Sequence, residues 1–361
     1  MSKPLEISWF SALCDDDYEF LGVPDASLAS SWEHCRNIVM RAEEGGFDNI
    51  LLPSGYQLGI DTQMFAGAIA ALTRQIRLLM AVRIGETWPP QLARQIATLD
   101  RILGAAPCGA ARLAVNIISS DMPGEKMDSE PRYARTVEAM KILKTLLNGD
   151  HLSHKGEFYD FDLAPPRVKT LSGKCPPLYF GGLSPAAREA AAEGCDVYLM
   201  WPETLDGAKA LIADMTERAA KRGRTLKYGF RAHVIVRETE AEARDYASRL
   251  LSKLDADKGA EIRGKSLDAQ TYGVARQAEL RAAAGEDGYI EDNLWTGIGR
   301  ARSGCGAAIV GDPDQVVAKI RAYQALGIDA FILSGYPHMA ECDMFARYVL
   351  PQLDHGKLSL D

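Results

Sequence analysis

The 361-residue sequence predicts a single α/β domain, residues 1–361, folded as a (β/α)8 barrel, and three observations support this prediction. Short apolar runs alternate with helix-like segments along the chain, eight such runs are present, and most of them are continuously apolar. Continuously apolar strands are typical of a parallel sheet covered by helices, and eight βα units close into a barrel. An open doubly wound sheet is the alternative, which the lack of a strong nucleotide-binding fingerprint in the first unit disfavours.

The boundaries of the predicted elements follow from the apolar runs, from helix capping residues and from glycines that end helices. The strands, in chain order, are Glu6–Phe10, Phe47–Pro53, Ile76–Arg83, Arg112–Ile117, Pro177–Gly181, Asp196–Trp201, Lys227–Val236 and Ile328–Ser334. The helices between them are Leu28–Glu44, Asp61–Thr73, Pro90–Leu103, Arg132–Leu147, Pro185–Glu193, Glu203–Lys221 and Asp314–Leu326. Two of these helices follow a capping residue and a proline, Ser184-Pro185 and Asp312-Pro313, which suit a first helical turn.

The connection between the seventh and eighth predicted strands is unusually long. It spans roughly 90 residues, whereas a crossover connection usually takes roughly 20–30. The excess, at about residues 252–306, is polar and rich in glycine, lysine and glutamate. We therefore predict a helical insertion there, which is a candidate lid over the catalytic end of the barrel.

Composition and charge limit the partners. The net charge of −8 disfavours nucleic acid and anionic membranes as partners. No stretch approaches the roughly 20 apolar residues that span a bilayer, and the first ten residues do not resemble a secretory signal. The seven cysteines are widely spaced and form no CxxC motif, which indicates a reduced compartment and disfavours zinc. The expected location is the cytoplasm.

The seventh strand carries charged and titratable residues where a structural strand would carry aliphatic ones. Arg231 and His233 lie two positions apart, so both side chains point to one side of the strand. A buried arginine without a partner costs several kcal/mol, and a substrate sulfonate or phosphate would supply that partner in a bidentate geometry. The alternative is an internal carboxylate that pairs with the arginine, with the histidine merely hydrogen-bonded, and the sequence leaves both open.

A second polar group follows the eighth strand, where Ser334-Gly335-Tyr336-Pro337-His338 should lie at the rim of the barrel. Tyr336 can donate a hydrogen bond to a developing anion, and Pro337 fixes the direction in which His338 leaves the strand. The alternative is a capped turn with a surface tyrosine. With Arg302 from the insertion, the chain offers two arginines, two histidines and a tyrosine for one anion.

The turn after the fifth strand is a candidate phosphate site. Gly181 and Gly182 expose backbone N–H groups just before a helix that starts at Ser184, and a helix N-terminus favours anions. A plain strand-to-helix turn is the alternative. A metal site finds no comparable support, because His151 and His154 lie in a turn or hairpin without an acidic cluster, so no metal is expected.

Several further stretches are specific only in combination, and they occur in order along nearly the full chain. They are Arg94–Arg101, Pro177–Gly182, Arg231–Thr239, Asn293–Trp295, Val310–Asp312 and Leu333–His338. Together they resemble the alkanesulfonate monooxygenases of the bacterial-luciferase-like flavin family. The resemblance implies a (β/α)8 barrel that uses FMN as FMNH2, supplied by a separate NAD(P)H-dependent flavin reductase, together with O2. It also implies release of sulfite and an aldehyde from a small-molecule sulfonate, and a homodimer or homotetramer.

The same resemblance implies the roles of individual residues. The catalytic set would be Arg231, His233, Arg302, Tyr336 and His338. The substrate would contact Trp201, Arg231, Arg302, Tyr336 and His338. The FMN ring would meet Asn116, and the FMN phosphate would be held by Tyr133, Gly181, Gly182 and Ser184.

The sequence departs from the family pattern mainly on the substrate side. Cys14 stands where the family tends to place a histidine, and the loop Tyr56–Ile60 is one residue longer than usual and lacks a pocket cysteine. A roomier, more polar pocket, with Trp88 and Trp201 as stacking surfaces, would suit a sugar sulfonate such as sulfoquinovose better than a linear alkanesulfonate. Competing interpretations are a deazaflavin-dependent oxidoreductase, a non-catalytic flavin-binding barrel and, last, a metal-dependent hydrolase.

Overall fold

The computed structural model describes residues 4–264 and 271–360. The strands of this part of the chain are β1 Glu6–Phe10, β2 Asn49–Leu52, β3 Arg77–Arg83, β4 Leu113–Ile118, β5 Leu152–Lys155, β6 Asp160–Leu163, β7 Leu178–Phe180, β8 Val197–Met200, β9 Lys227–Val236, β10 Tyr289–Glu291, β11 Leu294–Trp295, β12 Ala308–Gly311 and β13 Ala330–Ser334. Its α-helices are α1 Trp32–Glu44, α2 Thr62–Ala70, α3 Pro89–Gly104, α4 Ser129–Leu147, α5 Pro185–Gly194, α6 Leu205–Ala220, α7 Glu240–Leu251, α8 Ala256–Gly264, α9 Tyr272–Ala283, α10 Pro313–Ala325 and α11 His338–Tyr348.

Eight parallel strands form a closed barrel, so the predicted (β/α)8 fold is confirmed. The strands pair in the order β1-β2-β3-β4-β7-β8-β9-β13, and β13 pairs with β1 to close the ring. The interior is filled by side chains from different strands, among them Phe10, Leu51, Leu79, Tyr179 and Ile332. Because this packed interior leaves no room for chemistry, the site must lie above it, at the C-terminal ends of the strands.

Helix starts follow the predicted capping chemistry. The α5 helix begins at Pro185, and the Ser184 hydroxyl accepts a hydrogen bond from the Ala187 N–H at 3.2 Å. The α10 helix begins at Pro313 with a capping box between Asp312 and Gln315. None of the described helices is both long enough and apolar enough to cross a bilayer.

Strand β9 is longer than the barrel needs, and this length positions two predicted site residues. Its first half pairs with β8, from Lys227 to Phe230, and its last four residues, from His233 on, pair with β12. On the other edge it pairs with β13, where His233 lies opposite Ser334, the last residue of that strand. Arg231 therefore comes one residue after the end of the β8 pairing, so Arg231 and His233 lie at the upper end of the barrel although they lie in the middle of their own strand.

The connection between β9 and β13 is only partly helical. It contains α7, α8, α9 and α10, but also the antiparallel strands β10 and β11 and the strand β12, which joins β9 in parallel. The predicted helical insertion contains the helices α8 and α9, and it also contains β10 and β11, which extend the sheet above the barrel through β12. Residues 265–270 of the predicted insertion lie outside the described residues. The bounds 252–306 and the single-domain assignment stay predictions.

A buried carboxylate ties the bottom of the barrel together. Glu6 accepts hydrogen bonds from Arg77 Nη1 at 2.6 Å, from the Tyr179 hydroxyl at 2.6 Å and from Asn49 Nδ2 at 3.1 Å. The backbone N–H of Leu358 donates to the same carboxylate at 3.0 Å, so the C-terminal tail covers this end. Three strands and the tail therefore meet β1 at one fully buried charge.

Replacing Glu6 by glutamine should lower the free energy of unfolding by about 3–5 kcal/mol, because the variant leaves Arg77 buried without its charge partner. Urea unfolding followed by circular dichroism measures the change. The matched control is Glu217→Gln, which removes an exposed ion pair with Lys221 and should change stability by less than about 1 kcal/mol. Equal midpoints for wild type and the Glu6 variant would contradict a stabilising role for this network.

Candidate active site

A cavity of about 310 Å³ opens at the C-terminal ends of the barrel strands. Its walls come from the loops after β1 and β2, from the ends of β3 and β4, and from the insertion. Of the residues predicted from the sequence, Asn116, Trp201, Arg231 and Arg302 line it. These four residues come from distant segments of the chain and lie around one cavity.

Arg231 is a buried cation that has no carboxylate of its own. Its side chain is 3% exposed, and it donates to the backbone oxygens of Ala232 at 2.6 Å and Ile332 at 3.4 Å and to the Ser334 hydroxyl at 2.8 Å. No ion pair joins it to any acidic residue in ranges 4–264 and 271–360. Burial lowers the pKa of Arg231, which expresses the cost of holding this charge away from water. The alternative of an internal carboxylate partner is thus not what the structure shows.

Arg302 has a carboxylate partner, contrary to the expectation of a cation reserved for the substrate. Its Nη1 donates to Asp16 Oδ2 and, at 2.8 Å, to the Tyr336 hydroxyl. Burial opposes its charge, but Tyr336 and Asp16 outweigh burial and hold the pKa of Arg302 well above its usual value. Its Nε is buried and donates to no described residue. One edge of the guanidinium therefore carries a buried donor without a partner among the described residues.

The two guanidinium groups lie over the same aromatic ring. The Arg231 group is 4.3 Å and the Arg302 group 5.5 Å from the centre of the Phe10 ring. Phe10 is the last residue of β1 and lines the cavity. Contact with the ring face stabilises both cations without neutralising them. Cations from β9 and from the insertion are thus collected around the end of β1.

The residues after β13 follow the end of this strand, as predicted, but they are buried. Tyr336 and His338 are 1% and 0% exposed, and His338 is the first residue of α11. Tyr336, His338 and His233 do not line the cavity but lie behind it, in contact with groups that do. The alternative of a capped turn with a surface tyrosine is not what the structure shows, because the backbone N–H of His338 donates to Asp17 Oδ1 at 2.9 Å, which draws the turn inwards.

A hydrogen bond defines the tautomer of His338 in its neutral form, whereas the one made by His233 does not. The Ser334 hydroxyl accepts from Arg231 and is hydrogen-bonded to His233 Nδ1 at 2.7 Å, and in this second bond either the hydroxyl or the ring can donate. His338 Nδ1 donates to the Phe10 carbonyl at 2.9 Å, which leaves the lone pair on Nε2. Both Nε2 atoms are buried without a partner among the described residues. In its neutral form, His338 therefore offers an acceptor.

Trp201 and Trp88 have different surroundings, although both were expected to be stacking surfaces. Trp201 lines the cavity just beyond β8. Trp88 is 59% exposed and packs edge-on against Phe161, a residue of the β5–β6 hairpin, with 5.1 Å between ring centres. The expectation for Trp88 is wrong because the hairpin holds this ring on the outside of the barrel.

The predicted phosphate residues converge on the N-terminus of α5. Gly182 has a φ of +152°, and a Cβ there would lie 2.6 Å from the Ala187 Cβ and 3.7 Å from the Tyr133 hydroxyl. A Cβ on Gly181 would lie 2.0 Å from the Leu199 carbonyl oxygen. Because only glycine fits at both positions, the backbone here can approach an anion closely. Ser184 caps the helix at the same place.

The chain can now be compared with known proteins. The model of the luciferase-like monooxygenase family matches residues 20–330. The chain belongs to this family. It is 70% identical over 356 residues to a sulfoquinovose monooxygenase of Novosphingobium aromaticivorans, with 98% of each chain covered. It is 53% identical over 351 residues to a sulfoquinovose monooxygenase of Agrobacterium fabrum, with 96% of this chain and 89% of the relative covered.

The solved structure of a long-chain alkane monooxygenase superposes on this monooxygenase with a TM-score of 0.77 and 18% identity, covering 99% of this chain and 94% of that chain. At this identity the likeness shows the fold alone. The family assignment that the sequence motifs suggested is confirmed, and with it the assignment as a monooxygenase.

Asp16 is a cavity residue that sequence reasoning missed. The signal was present, because Asp15-Asp16-Asp17 lies in the loop after β1, with four residues between it and the end of the strand, on the side of the barrel where chemistry takes place. The three carboxylates bind three different parts of the molecule: Asp15 the loops before α1 and α2, Asp16 the insertion, and Asp17 the start of α11. This loop therefore connects the parts of the site.

Because the fold keeps the ring of His233 neutral, the stability of the protein should depend on pH. Burial first, and then the charge of Arg231, hold the pKa of His233 well below its ordinary value. Below about pH 6.5 the unfolded chain takes up a proton that the folded chain refuses, so the free energy of unfolding falls as pH falls, by up to about 1.4 kcal/mol per pH unit. Replacement of His233 by asparagine should remove this slope, which urea unfolding between pH 5 and pH 7 measures.

The control for this experiment is His151→Asn, since His151 is an exposed histidine paired with Asp162. Its replacement should leave the slope that His233 causes. If wild type and the His233 variant lose stability in parallel on acidification, the neutral state of His233 is refuted.

Proposed function

We propose that this monooxygenase uses FMN as FMNH2, together with O2, to cleave the C–S bond of sulfoquinovose or a closely similar sugar sulfonate. The sulfur would leave as sulfite, the carbon would become an aldehyde, and the second oxygen atom would be reduced to water. The relatives that are 70% and 53% identical to this chain are sulfoquinovose monooxygenases, which supports this substrate. They also favour monooxygenation over the deazaflavin-dependent hydride transfer that was the main alternative.

The observation that carries this proposal is the buried guanidinium of Arg231. Its hydrogen-bond partners are uncharged, and no carboxylate of the described residues lies at ion-pair distance, so a bound sulfonate would supply a direct anionic partner. Arg302 would bind the same group through the edge that includes Nε, because its Nη1 is committed to Asp16 and Tyr336. Two guanidinium groups can together bond several oxygen atoms of one sulfonate.

The remaining members of the predicted catalytic set would act around these arginines. Tyr336 holds Arg302 directly, and His233 holds Arg231 through the Ser334 hydroxyl, so we assign both as positioning residues. We assign acceptance of the proton from the carbon that bears the sulfonate to His338, because its neutral form keeps a lone pair on Nε2. Since His338 lies behind the cavity, this proton would reach Nε2 through a bridging water. Trp201 would stack against the sugar ring.

The FMN-binding residues would be those that converge on α5. The phosphate would lie at the N-terminus of this helix, held by Gly181, Gly182, Ser184 and the Tyr133 hydroxyl, and the ring would extend towards Asn116 in the cavity. The bound FMNH2 supplies the electrons that activate O2. The protein residues bind and orient it and exclude water from the cavity.

The partners follow from the cofactor and from the surface. A separate NAD(P)H-dependent reductase would supply FMNH2, and the location would be cytoplasmic, in keeping with seven free cysteines. We also propose a homodimer or homotetramer. The exposed side of α2 is apolar, with Met64 69% exposed and Leu72 44% exposed just beyond the helix, and a second copy of the chain would cover it.

The central experiment couples the protein to a flavin reductase with FMN and NADH and measures sulfite release from sulfoquinovose. Arg231→Met and Arg302→Met should each lower kcat/KM by about 100-fold or more, because a buried sulfonate loses a charged partner. Arg244→Met is the matched control, since Arg244 pairs with Glu240 on the surface and should retain activity. Sulfite release by both site variants at the wild-type rate would refute the site, and no release from any sulfonate would refute the function.

The cofactor assignment is tested by binding rather than by activity. Tyr133→Phe should weaken FMN binding by about tenfold, because one hydrogen bond to a charged phosphate is lost, whereas riboflavin, which lacks the phosphate, should bind equally well to variant and wild type. Quenching of protein fluorescence measures both affinities. Tyr348→Phe, in α11, is the control and should bind FMN like the wild type. If the Tyr133 variant loses affinity for both flavins equally, Tyr133 does not hold the phosphate.

A further inference from the structure

Asp16 has one carboxylate oxygen that the protein leaves without a partner. Its side chain lines the cavity, and its Oδ2 accepts from Arg302 Nη1. Its Oδ1 is buried and accepts no hydrogen bond from any residue in the described ranges. A buried carboxylate oxygen without a donor is costly, and such groups in native proteins are usually satisfied by a ligand, by water or by a protein group.

The neighbouring carboxylates show that this is a feature of Asp16 and not of the loop. Asp15 Oδ1 accepts from the Ser30 N–H at 2.7 Å, and its Oδ2 accepts from the Gly59 N–H at 3.0 Å. Asp17 uses both oxygens as well, Oδ1 for the His338 N–H and Oδ2 for the ring of His34 at 2.9 Å each. In the run of three acids, the middle carboxylate is therefore the one whose second oxygen is not used within the described chain.

Asp16 is ionised, so this oxygen can only accept. Burial raises its pKa, but the guanidinium of Arg302 outweighs burial and holds the pKa below its usual value. A carboxylate in this state selects for O–H or N–H donors and against methylene groups and anions. Any group of the substrate that reaches Oδ1 must therefore be a hydrogen-bond donor.

The position of Asp16 relative to Arg302 indicates which donor. Nη1 of Arg302 bonds Asp16, while Nε, on another edge of the same guanidinium, is unpartnered. A sulfonate on the Nε edge and a group on Asp16 would thus be separated by about the width of one guanidinium. In a hexose that carries its sulfonate on C6, the nearest hydroxyl groups lie only a few bonds from sulfur. In a linear alkanesulfonate, methylene groups occupy those positions.

We propose that Asp16 Oδ1 accepts a hydrogen bond from a ring hydroxyl of the substrate and makes the cavity selective for hexose sulfonates over alkanesulfonates. This inference rests on the proposed function. An alkanesulfonate would still bind the arginines, but it would bury Oδ1 against carbon. Sites built to hydrogen-bond a substrate hydroxyl discriminate strongly against analogues that lack it, since the buried polar group is then left unpaired.

The test compares kcat/KM for sulfite release from sulfoquinovose and from hexane-1-sulfonate in the wild type and in Asp16→Asn and Asp16→Ala. Both substrates carry the sulfonate, so an effect on Arg302 lowers both values equally and cancels in their ratio. The ratio of sugar to alkyl activity should fall by about tenfold in the asparagine variant and by about 100-fold in the alanine variant. Asp162→Asn, which changes an exposed carboxylate of the β5–β6 hairpin, is the control, and its ratio should match that of the wild type.

The possible outcomes distinguish failure of the role of Asp16 from failure of the proposed function. An equal loss for both substrates in the Asp16 variants would show that Asp16 only positions Arg302, and would overturn the inference while the proposed function stands. No sulfite from any sulfonate with the wild type would overturn the proposed function, and this inference with it.

If the Asp16 variants do not fold, the inference can still be tested with the wild type alone. Among sulfoquinovose analogues that each lack one hydroxyl, at least one should lose tenfold or more in kcat/KM. Full activity with every such analogue would overturn the inference.

Discussion

The arrangement of the cavity depends on one constraint, which is that Arg231 is buried without a counter-ion. Its positive charge is stabilised by carbonyl oxygens, a serine hydroxyl and the face of the Phe10 ring, none of which carries a negative charge that would neutralise it. A carboxylate in the same place would have made the site more stable and less able to bind an anion. A cation without an ion pair is thus kept at the cavity although the chain as a whole carries a net charge of −8.

Arg302 shows how a second cation can be held in place without losing its use. Asp16 and Tyr336 bind one nitrogen of the guanidinium, which fixes the orientation of a side chain that comes from the insertion. A planar group with several donors can be oriented by one edge and still bind through another, whereas the single ammonium group of a lysine offers no such separation. The loop after β1 therefore organises the site as much as the strands that carry the cations.

Local sequence patterns were sufficient to predict the barrel fold. Runs of apolar residues, caps such as Ser184 and the glycines that end helices are local signals, and they predicted the eight barrel strands and most helices. Three features of the site depend on pairing between distant segments and could not be read in this way. These are the extension of β9 by β12, the ion pair between Asp16 and Arg302, and the burial of His338 by Asp17. The motif residues were recognisable, but which of them face the cavity depends on the register of β9 and β13.

The continuation of β9 above the barrel also restricts how the entrance can change shape. From His233 to Val236 this strand is hydrogen-bonded to β12, and Arg302 precedes β12 by only a few residues. A rigid swing of the whole insertion would break this part of the sheet and remove Arg302 from Phe10. Access to the interior must therefore come from displacement of segments that precede Arg302, while Arg302 itself, held by Asp16, stays in place to bind the incoming anion.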